Sequence, residues 1–471
     1  MSPSEPTPPP GPDQPNQQRR PAVSRRALLT GAGAVALVGT SGALALARRG
    51  PRLPLDGPAL PQLAELELTT GADGARTGLL SAGSTTTGLA YNGSAPGPLL
   101  RLREGERVRL SFHNDTGAHS SLHLHGLPLG PAADAPFAHL EPGTGDVREF
   151  TLPAGCAGTY WYHPHAHGDV ERQLLAGLAG PVVVTGPLDQ TPELAAADDR
   201  LLMLTRQGSA LHANGVLHPV VHAQAGRVRL RLLNATAGDH LLIGLVRDGR
   251  RQPMHLIATD SGFTQRPVPL QEVLLAPGER AEVLIDTTRA GTVGVQALPY
   301  SVYGPGGATS EERTLAVLQV PAGLAPLPLP QQLLPLQRLD PAAAVRTRRL
   351  TLGADGHGAY TLDGHTFDPD RVDISAQLGT VEVWELVNEH TTDHPFHLHS
   401  YPFQVLQRAG TPEPFTAWRD TVNVPAASTV RIAVPLRGEA GRTVYHCHIA
   451  SHEDLGMMGV LDVRDLREVR S

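Results

Sequence analysis

At 471 residues the chain exceeds one ordinary core and suits about three domains of roughly 100–150 residues each. A net charge of −7 excludes recruitment by nucleic acid or by an anionic membrane surface. With 50 glycines, 43 prolines and only 4% aromatic residues, the composition fits many short strands joined by turns and does not fit long helices.

In chain order, the first 23 residues are Pro- and Gln-rich with almost no apolar content, the composition of a disordered segment. Ser24-Arg25-Arg26-Ala27-Leu28-Leu29 then opens an uncharged Ala/Gly/Leu/Val run that ends at Ala45-Leu46-Ala47. A twin arginine, an apolar segment and a small-x-small site describe a signal peptide for the twin-arginine (Tat) export machinery within residues 1–47. The expected destination is periplasmic or extracellular. The alternative is an uncleaved anchor, because the run just reaches the length of a bilayer span. Gly and Ala dilute it far below a typical span, so no stable membrane insertion is expected.

From Gly50 onward one signature recurs: a glycine turn, an alternating strand and a closing asparagine. It runs from Gly105 to Asn114, from Gly226 to Asn234 and from Gly379 to Asn388. Alternation of this kind marks a half-buried antiparallel strand, and the repeat period is that of a domain and not of a solenoid. Pro142-Gly143, Pro277-Gly278 and Pro425-Ala426 each precede a second alternating run, at Val147 to Leu152, Ala281 to Ile285 and Val430 to Val434. The pattern predicts an all-β chain of three similar β-sandwiches, over 55–187, 198–322 and 347–466. Gly186 to Asp199 and Pro321 to Arg346 read as linkers, the second (323–346 between domains) long enough to cross another domain's surface. One short helix is expected, Val170 to Leu178.

Four His-x-His pairs stand out: His123/His125, His163/His165, His397/His399 and His446/His448. In an extended chain the members of a pair lie on one face about 6–7 Å apart, the spacing that lets them bridge neighbouring metals. One such pair is more often surface or structural; four pairs, one of them enclosing Cys447, point to a metal cluster. The spacing also departs from the closed tetrahedral sets and short Cys-x-x-Cys spacings of structural zinc. Arg442 to Tyr445 reads as a strand, so Cys447 faces away from His446 and His448. His394, Cys447, His452 and Met457 together supply a soft trigonal copper site with a weak axial ligand. Eight paired histidines shared among three metals leave coordination positions open, and four one-electron metals match the four electrons that reduce dioxygen to two waters. The other cysteine, Cys156, reads as a small buried residue. The remaining histidines, His390 among them, read as surface residues, with His167 a turn histidine or a neighbour of the ligands.

In these motifs the chain, over about residues 55 to 465, resembles the three-domain multicopper oxidases, the laccase-like family built from cupredoxin domains. The resemblance implies three cupredoxin-like Greek-key β-sandwiches and four copper ions per chain. It implies a type 1 copper on His394, Cys447, His452 and axial Met457, and a type 2 copper on His123 and His397. Two type 3 coppers would take His125, His163 and His448, and His165, His399 and His446. An electron would enter at the type 1 site and leave through Cys447 into His446 and His448. Asp134 and Glu453 match family acids that relay protons; the plain alternative for each is a solvated loop carboxylate.

The expected partners are dioxygen and a small electron donor, with a monomer as the default assembly. A methionine-rich insert would favour cuprous ion, but the chain has only Met1, Met203, Met254, Met457 and Met458. The first expectation is therefore a laccase-like oxidase of phenolic or aromatic donors, with Asp393 and Asp454 as candidate acceptors of a donor proton or a metal cation. The alternatives are a cuprous or metal-ion oxidase of copper homeostasis, copper sequestration, and a non-enzymatic exported protein that kept the cupredoxin fold.

Overall fold

The computed structural model describes residues 53–465. The twin-arginine segment lies outside the described residues, within which no helix is long and apolar enough to cross a membrane.

The three repeats fold alike. In each, the alternating strand that carries the closing asparagine pairs in parallel with a long strand three strands earlier in the repeat: Arg107–Asp115 with Arg76–Thr85, Arg227–Asn234 with Asp198–Gln207, and Val381–Asn388 with Arg346–Ala354. On its other edge it pairs antiparallel with the strand after the Pro-Gly or Pro-Ala turn: Thr144–Thr151, Arg280–Asp286 and Thr429–Pro435. Each sheet so formed packs on a second sheet, giving six sheets in three sandwiches. The apolar alternates of both sheets fill three separate cores, around Leu110 and Tyr160, Leu230 and Val283, and Trp384 and Phe396.

The closing asparagine does one job three times. Its Nδ2 donates to two backbone carbonyls, those of Ala118 and Leu140 for Asn114, Asp239 and Leu275 for Asn234, and Thr392 and Val424 for Asn388. Its Oδ1 accepts the N–H two residues on, from Thr116, Thr236 or His390. These loops carry or abut the histidine motifs, so a buried, fully bonded asparagine holds each at a set height above its sheet.

The expected linkers are more structured than composition suggests. Asp189, in the 3₁₀ turn Pro187–Gln190, pairs with the buried Arg229. The longer segment runs across the second sandwich, donating from Leu333 and Leu334 to the carbonyls of Gln265 and Thr264 and burying Leu333 beside Phe263. The helix expected over Val170 to Leu178 spans Val170–Leu175, and it is joined by three others, Pro131–Asp134, Pro192–Ala195 and Ala450–Asp454. Two of these carry functional candidates in segments too short for helical periodicity to register. A further apolar cluster takes Trp161 and Val170 from the first sandwich, Met203 and Leu233 from the second and Ala450 from the third, so all three meet beside the histidines.

Candidate metal centre

Register decides which histidines meet. In the third sandwich His394–Leu398 lies between Thr421–Val424 and Gly441–Cys447, with His397 opposite His446 and Phe396 opposite Cys447. In the first, His123–His125 pairs with Gly158–His163, placing His123 opposite His163. Alternation then sends His397, His399, His446 and His448 to the face that meets the first sandwich, while Cys447 turns into its own core.

The rings fall into the predicted groups. His125 Nδ1 lies 3.1 Å from His448 Nε2 and 3.4 Å from His163 Nε2. His446 Nε2 lies 3.1 Å from His399 Nε2 and 3.4 Å from His165 Nε2. His123 and His397 complete the cluster with Nε2 atoms that are buried and have no hydrogen-bond partner. Outside the cluster, Cys447 Sγ is 3.5 Å from His394 Nδ1 and 3.7 Å from His452 Nδ1, and those two nitrogens are 3.1 Å apart. Met457 is fully buried in the same core, and its carbonyl accepts the Cys447 N–H.

Several of the outer ring nitrogens face fixed acceptors: the carbonyls of Pro164 for His163 and Cys447 for His446, the Asp134 carboxylate for His123 and His399, and the Asp420 carbonyl for His397. A nitrogen that donates outward leaves the other as a lone pair, so the inner nitrogens are lone pairs turned toward one another. Separations of 3.1–3.4 Å are those of two ligands that share one metal at about 2.0–2.1 Å. The residues fit a set of metal cations, and the His₂Cys group with its methionine fits copper in particular.

Burial supports the same reading. It pushes His163 down to about 3, His397 and His452 to about 4 and His394 to about 2, and drives His123, His125, His165 and His448 well below the usual histidine range. These rings are therefore neutral, as ligands must be. Burial also lowers His446, but the charge and hydrogen bond of Glu453 outweigh it and hold that ring above its ordinary value. Burial raises the Cys447 thiol well above its usual range, so the thiol keeps its proton unless a bound cation displaces it. The depressed histidines make a stability prediction for the copper-free protein. Below about pH 6.5 the unfolded chain takes up protons that the folded rings refuse, so stability present above that pH is lost as pH falls toward about 4. Calorimetry from pH 7.5 to 5 should show the unfolding temperature falling by several degrees; a constant or rising value would contradict the assignment of these rings as buried and neutral.

Both predicted acids are inside and are not solvated loop carboxylates. Asp134 Oδ1 is 2.9 Å from His123 Nδ1, and Oδ2 is 2.8 Å from His399 Nδ1, so one carboxylate holds a ring from each of two groups. Glu453 lies 3.1 Å from His446 Nδ1 and 3.4 Å from His165 Nε2. Cys156 is buried, its thiol donating to the Pro153 carbonyl.

Other expectations change. Asp393 is buried, and its carboxylate accepts from Tyr300 Oη, Asn423 Nδ2 and the Ala426 N–H, so it does not face solvent where a donor molecule would arrive. Asp454 accepts the N–H groups of Val170 and Glu171, capping a helix of the first sandwich, and burial raises its carboxyl to about 6. His390 is half-buried with its Nδ1 3.2 Å from His394 Nε2, and His240 is buried against Asn423; neither is a surface residue. His167 is half-buried in a turn, its ring edge-on to His165. Sequence reasoning missed Asp420 and Tyr360. Asp420 Oδ1 is 3.1 Å from His125 Nε2, and Tyr360 stacks on His452 with ring centres 3.7 Å apart. Neither carries a spacing signal, because each reaches its histidine from another strand.

Family models described as multicopper oxidase match residues 76–189 and 338–467. The multicopper oxidase mco of Staphylococcus haemolyticus is 27% identical over 402 residues, covering 80% of this chain and 83% of that one. The cell division protein FtsP of Escherichia coli is 30% identical over 368 residues, covering 70% and 75%. The chain belongs to the multicopper oxidase family. Its fold matches the multicopper oxidase of Campylobacter jejuni, a metallo-oxidase, with a TM-score of 0.78 and 26% identity over 87% of this chain and 96% of that one. It also matches a laccase-like multicopper oxidase from Ochrobactrum sp. with activity towards lignin model compounds, with a TM-score of 0.75 and 28% identity over 86% and 100%. The three sandwiches are thus cupredoxin-like. Membership carries copper binding and oxidoreductase chemistry with dioxygen as acceptor.

Proposed function

We propose that this multicopper oxidase holds four copper ions and couples one-electron oxidation of an aromatic donor to reduction of dioxygen to water. The observation that carries this reading is the set of inward lone pairs: two triads and one pair of histidines around a common space, joined to the His394, Cys447, His452 set through the backbone of His446-Cys447-His448. In the family's terms, His394, Cys447, His452 and Met457 would hold type 1 copper, and His123 and His397 type 2. His125, His163 and His448 would hold one type 3 copper, and His165, His399 and His446 the other. Copper, when bound, supplies one-electron redox steps at the first site and four electrons to dioxygen at the cluster.

The protein's own residues do the rest. His452 is half-buried, unlike His394 and Cys447, so its edge is the part of the set a donor can touch. Cys447 is bonded in sequence to the two histidines that belong to different triads, which makes it the shortest covalent link between donor side and cluster. Asp134 and Glu453 each lie against two candidate ligand rings and hold them in orientation. They are also the acids placed to pass protons to the reduced oxygen, four of which are needed for each dioxygen taken to two waters.

An aromatic donor is favoured over a metal ion by what surrounds His452. Tyr360 is stacked on it, and Leu455, whose carbonyl accepts the Tyr360 N–H, is 50% exposed. Of the two carboxylates flanking the ligands, Asp393 is buried and already accepts three hydrogen bonds, which weighs against a cation site there. The likeness to a cell division protein favours a second reading, a division-associated role without oxidase activity, and the complete ligand set weighs against it. The twin-arginine motif supports export of the folded chain.

One experiment tests the reading. The purified protein is loaded with copper, its visible spectrum recorded, and oxygen uptake measured with a phenol and with cuprous ion. The expected result is four coppers per chain, a blue absorption, and uptake that is faster with the phenol. A colourless protein binding fewer than four coppers would overturn the oxidase reading, and faster uptake with cuprous ion would reassign the donor.

A further inference from the structure

The second sandwich supplies no histidine to the cluster, yet it reaches the ligand rings. Arg280, the first residue of its strand Arg280–Asp286, is fully buried. All five of its guanidinium N–H groups have acceptors: Nε donates to the Thr159 carbonyl, Nη1 to the Gly278 carbonyl and Asp420 Oδ1, and Nη2 to the Asp260 carbonyl and Asp420 Oδ2. Thr159 belongs to the first sandwich, Gly278 and Asp260 to the second and Asp420 to the third. The pair with Asp420 is a two-point fork at 2.8 and 2.6 Å, the geometry that fixes the direction of a carboxylate as well as its place.

Direction matters because of what Asp420 does next. Its Oδ1 is 3.1 Å from His125 Nε2, and its carbonyl is 2.9 Å from His397 Nδ1. An acceptor at Nε2 of His125 leaves Nδ1 as the lone pair that faces His448 and His163; an acceptor at Nδ1 of His397 leaves its partnerless Nε2 for the metal. The backbone is drawn in equally closely. A Cβ on Gly126, the residue after His125, would stand 2.2 Å from Arg280 Nη2 and 2.3 Å from Asp420 Oδ2, and Gly126 has φ +81°. A Cβ on Gly278 would stand 2.9 Å from His448 Cδ2 and 3.1 Å from His125 Cε1. These glycines let the second sandwich touch the rings directly.

We propose that Arg280 is a positioning residue for the copper cluster. By holding Asp420 in one orientation it sets the tautomer and tilt of His125 and His397, so a domain with no ligand controls the type 2 site and one type 3 site. The idea rests on the four-copper reading. It gives the middle sandwich a chemical role in addition to that of spacer.

The test compares Arg280→Gln and Arg280→Lys with Arg229→Gln, which removes another buried ion pair of the second sandwich, that with Glu282 and Asp189. The readouts are copper retained per chain against a chelator, the blue absorption, the electron paramagnetic resonance signal of the type 2 copper, and crystal structures of the copper-free variants. Arg280→Gln should keep the blue absorption while cluster copper is lost about 10–100 times more readily, with an altered type 2 signal. Arg280→Lys, which keeps the charge but not the fork, should fall between, and it also serves if the glutamine variant does not fold. The copper-free crystals should show the His125 ring rotated or its Nε2 contact broken. Unchanged cluster retention and type 2 signal in both variants would overturn the proposal. So would parallel loss of blue and cluster copper to the degree seen in Arg229→Gln at equal loss of thermal stability. If the unaltered protein takes up no cluster copper, the functional reading fails instead, and the His125 ring in the copper-free crystals still decides whether Arg280 positions it.

Discussion

Cys447→Ser is expected to abolish the blue absorption and the turnover together. Serine keeps the shape of the side chain but offers a hard hydroxyl that stays protonated, where the His₂Cys set needs a soft thiolate. The loss in oxygen uptake should exceed the about 10–100-fold that removal of an outer partner of a ligand costs, because here the ligand itself is gone. The three coppers of the cluster should still fill, since their histidines come from both sandwiches and keep their own hydrogen bonds. The hydroxyl is also placed in a fully buried position, at a cost of about 1–3 kcal/mol if it finds no partner, so the unfolding temperature of the copper-free variant should be measured alongside. A retained blue band, or turnover within tenfold of the unaltered protein, would remove Cys447 from the centre of the mechanism.

Asp134→Asn separates the other half of the reaction. The carboxylate accepts from His123 Nδ1 and His399 Nδ1 at once, at 2.9 and 2.8 Å. An amide of the same shape has one oxygen, so it can accept from one of the two rings only, and its NH₂ faces the N–H of the other. One ligand ring then loses its orientation, and a proton-carrying group is lost from that side of the cluster. Oxygen uptake should fall by about 10–100-fold while the blue absorption is unchanged, because His394, Cys447 and His452 do not touch Asp134. Stopped-flow mixing divides the cycle: bleaching of the blue band by donor without oxygen should keep its rate, and recovery on adding oxygen should slow. If bleaching slows and recovery does not, the carboxylate acts on donor oxidation and the role assigned to it is wrong.

Both predictions depend on residues whose chemistry is visible in the linear chain. The four His-x-His pairs, the cysteine between two of those histidines and the thioether ten positions on are local patterns, and strand alternation converts them directly into faces. The threefold recurrence of glycine, alternating strand and asparagine is equally local, which is why the all-β, three-sandwich architecture was legible before any contact was known. Helices of four or five residues were not, since they are shorter than the period by which a helix announces itself. The hydrogen-bond partners of Asp393 and Asp454 were hidden for a related reason. A carboxylate beside a ligand in sequence looks available, whereas Tyr300 of the second sandwich and the helix starting at Val170 in the first had already claimed them.

What the sequence determined by itself is therefore the candidate donor set: which side chains gather as possible ligands, on which face of which strand, and how Cys447 sits between the two groups. Only the tertiary structure decided how those donors are held. Asp134, Glu453 and Asp420 act across strand or domain boundaries, and Arg280 reaches Asp420 from a position 140 residues away. No periodicity encodes such a meeting. It arises where three sandwiches meet around Trp161 and bury their polar rims together, where every donor must find an acceptor or raise the free energy of the fold.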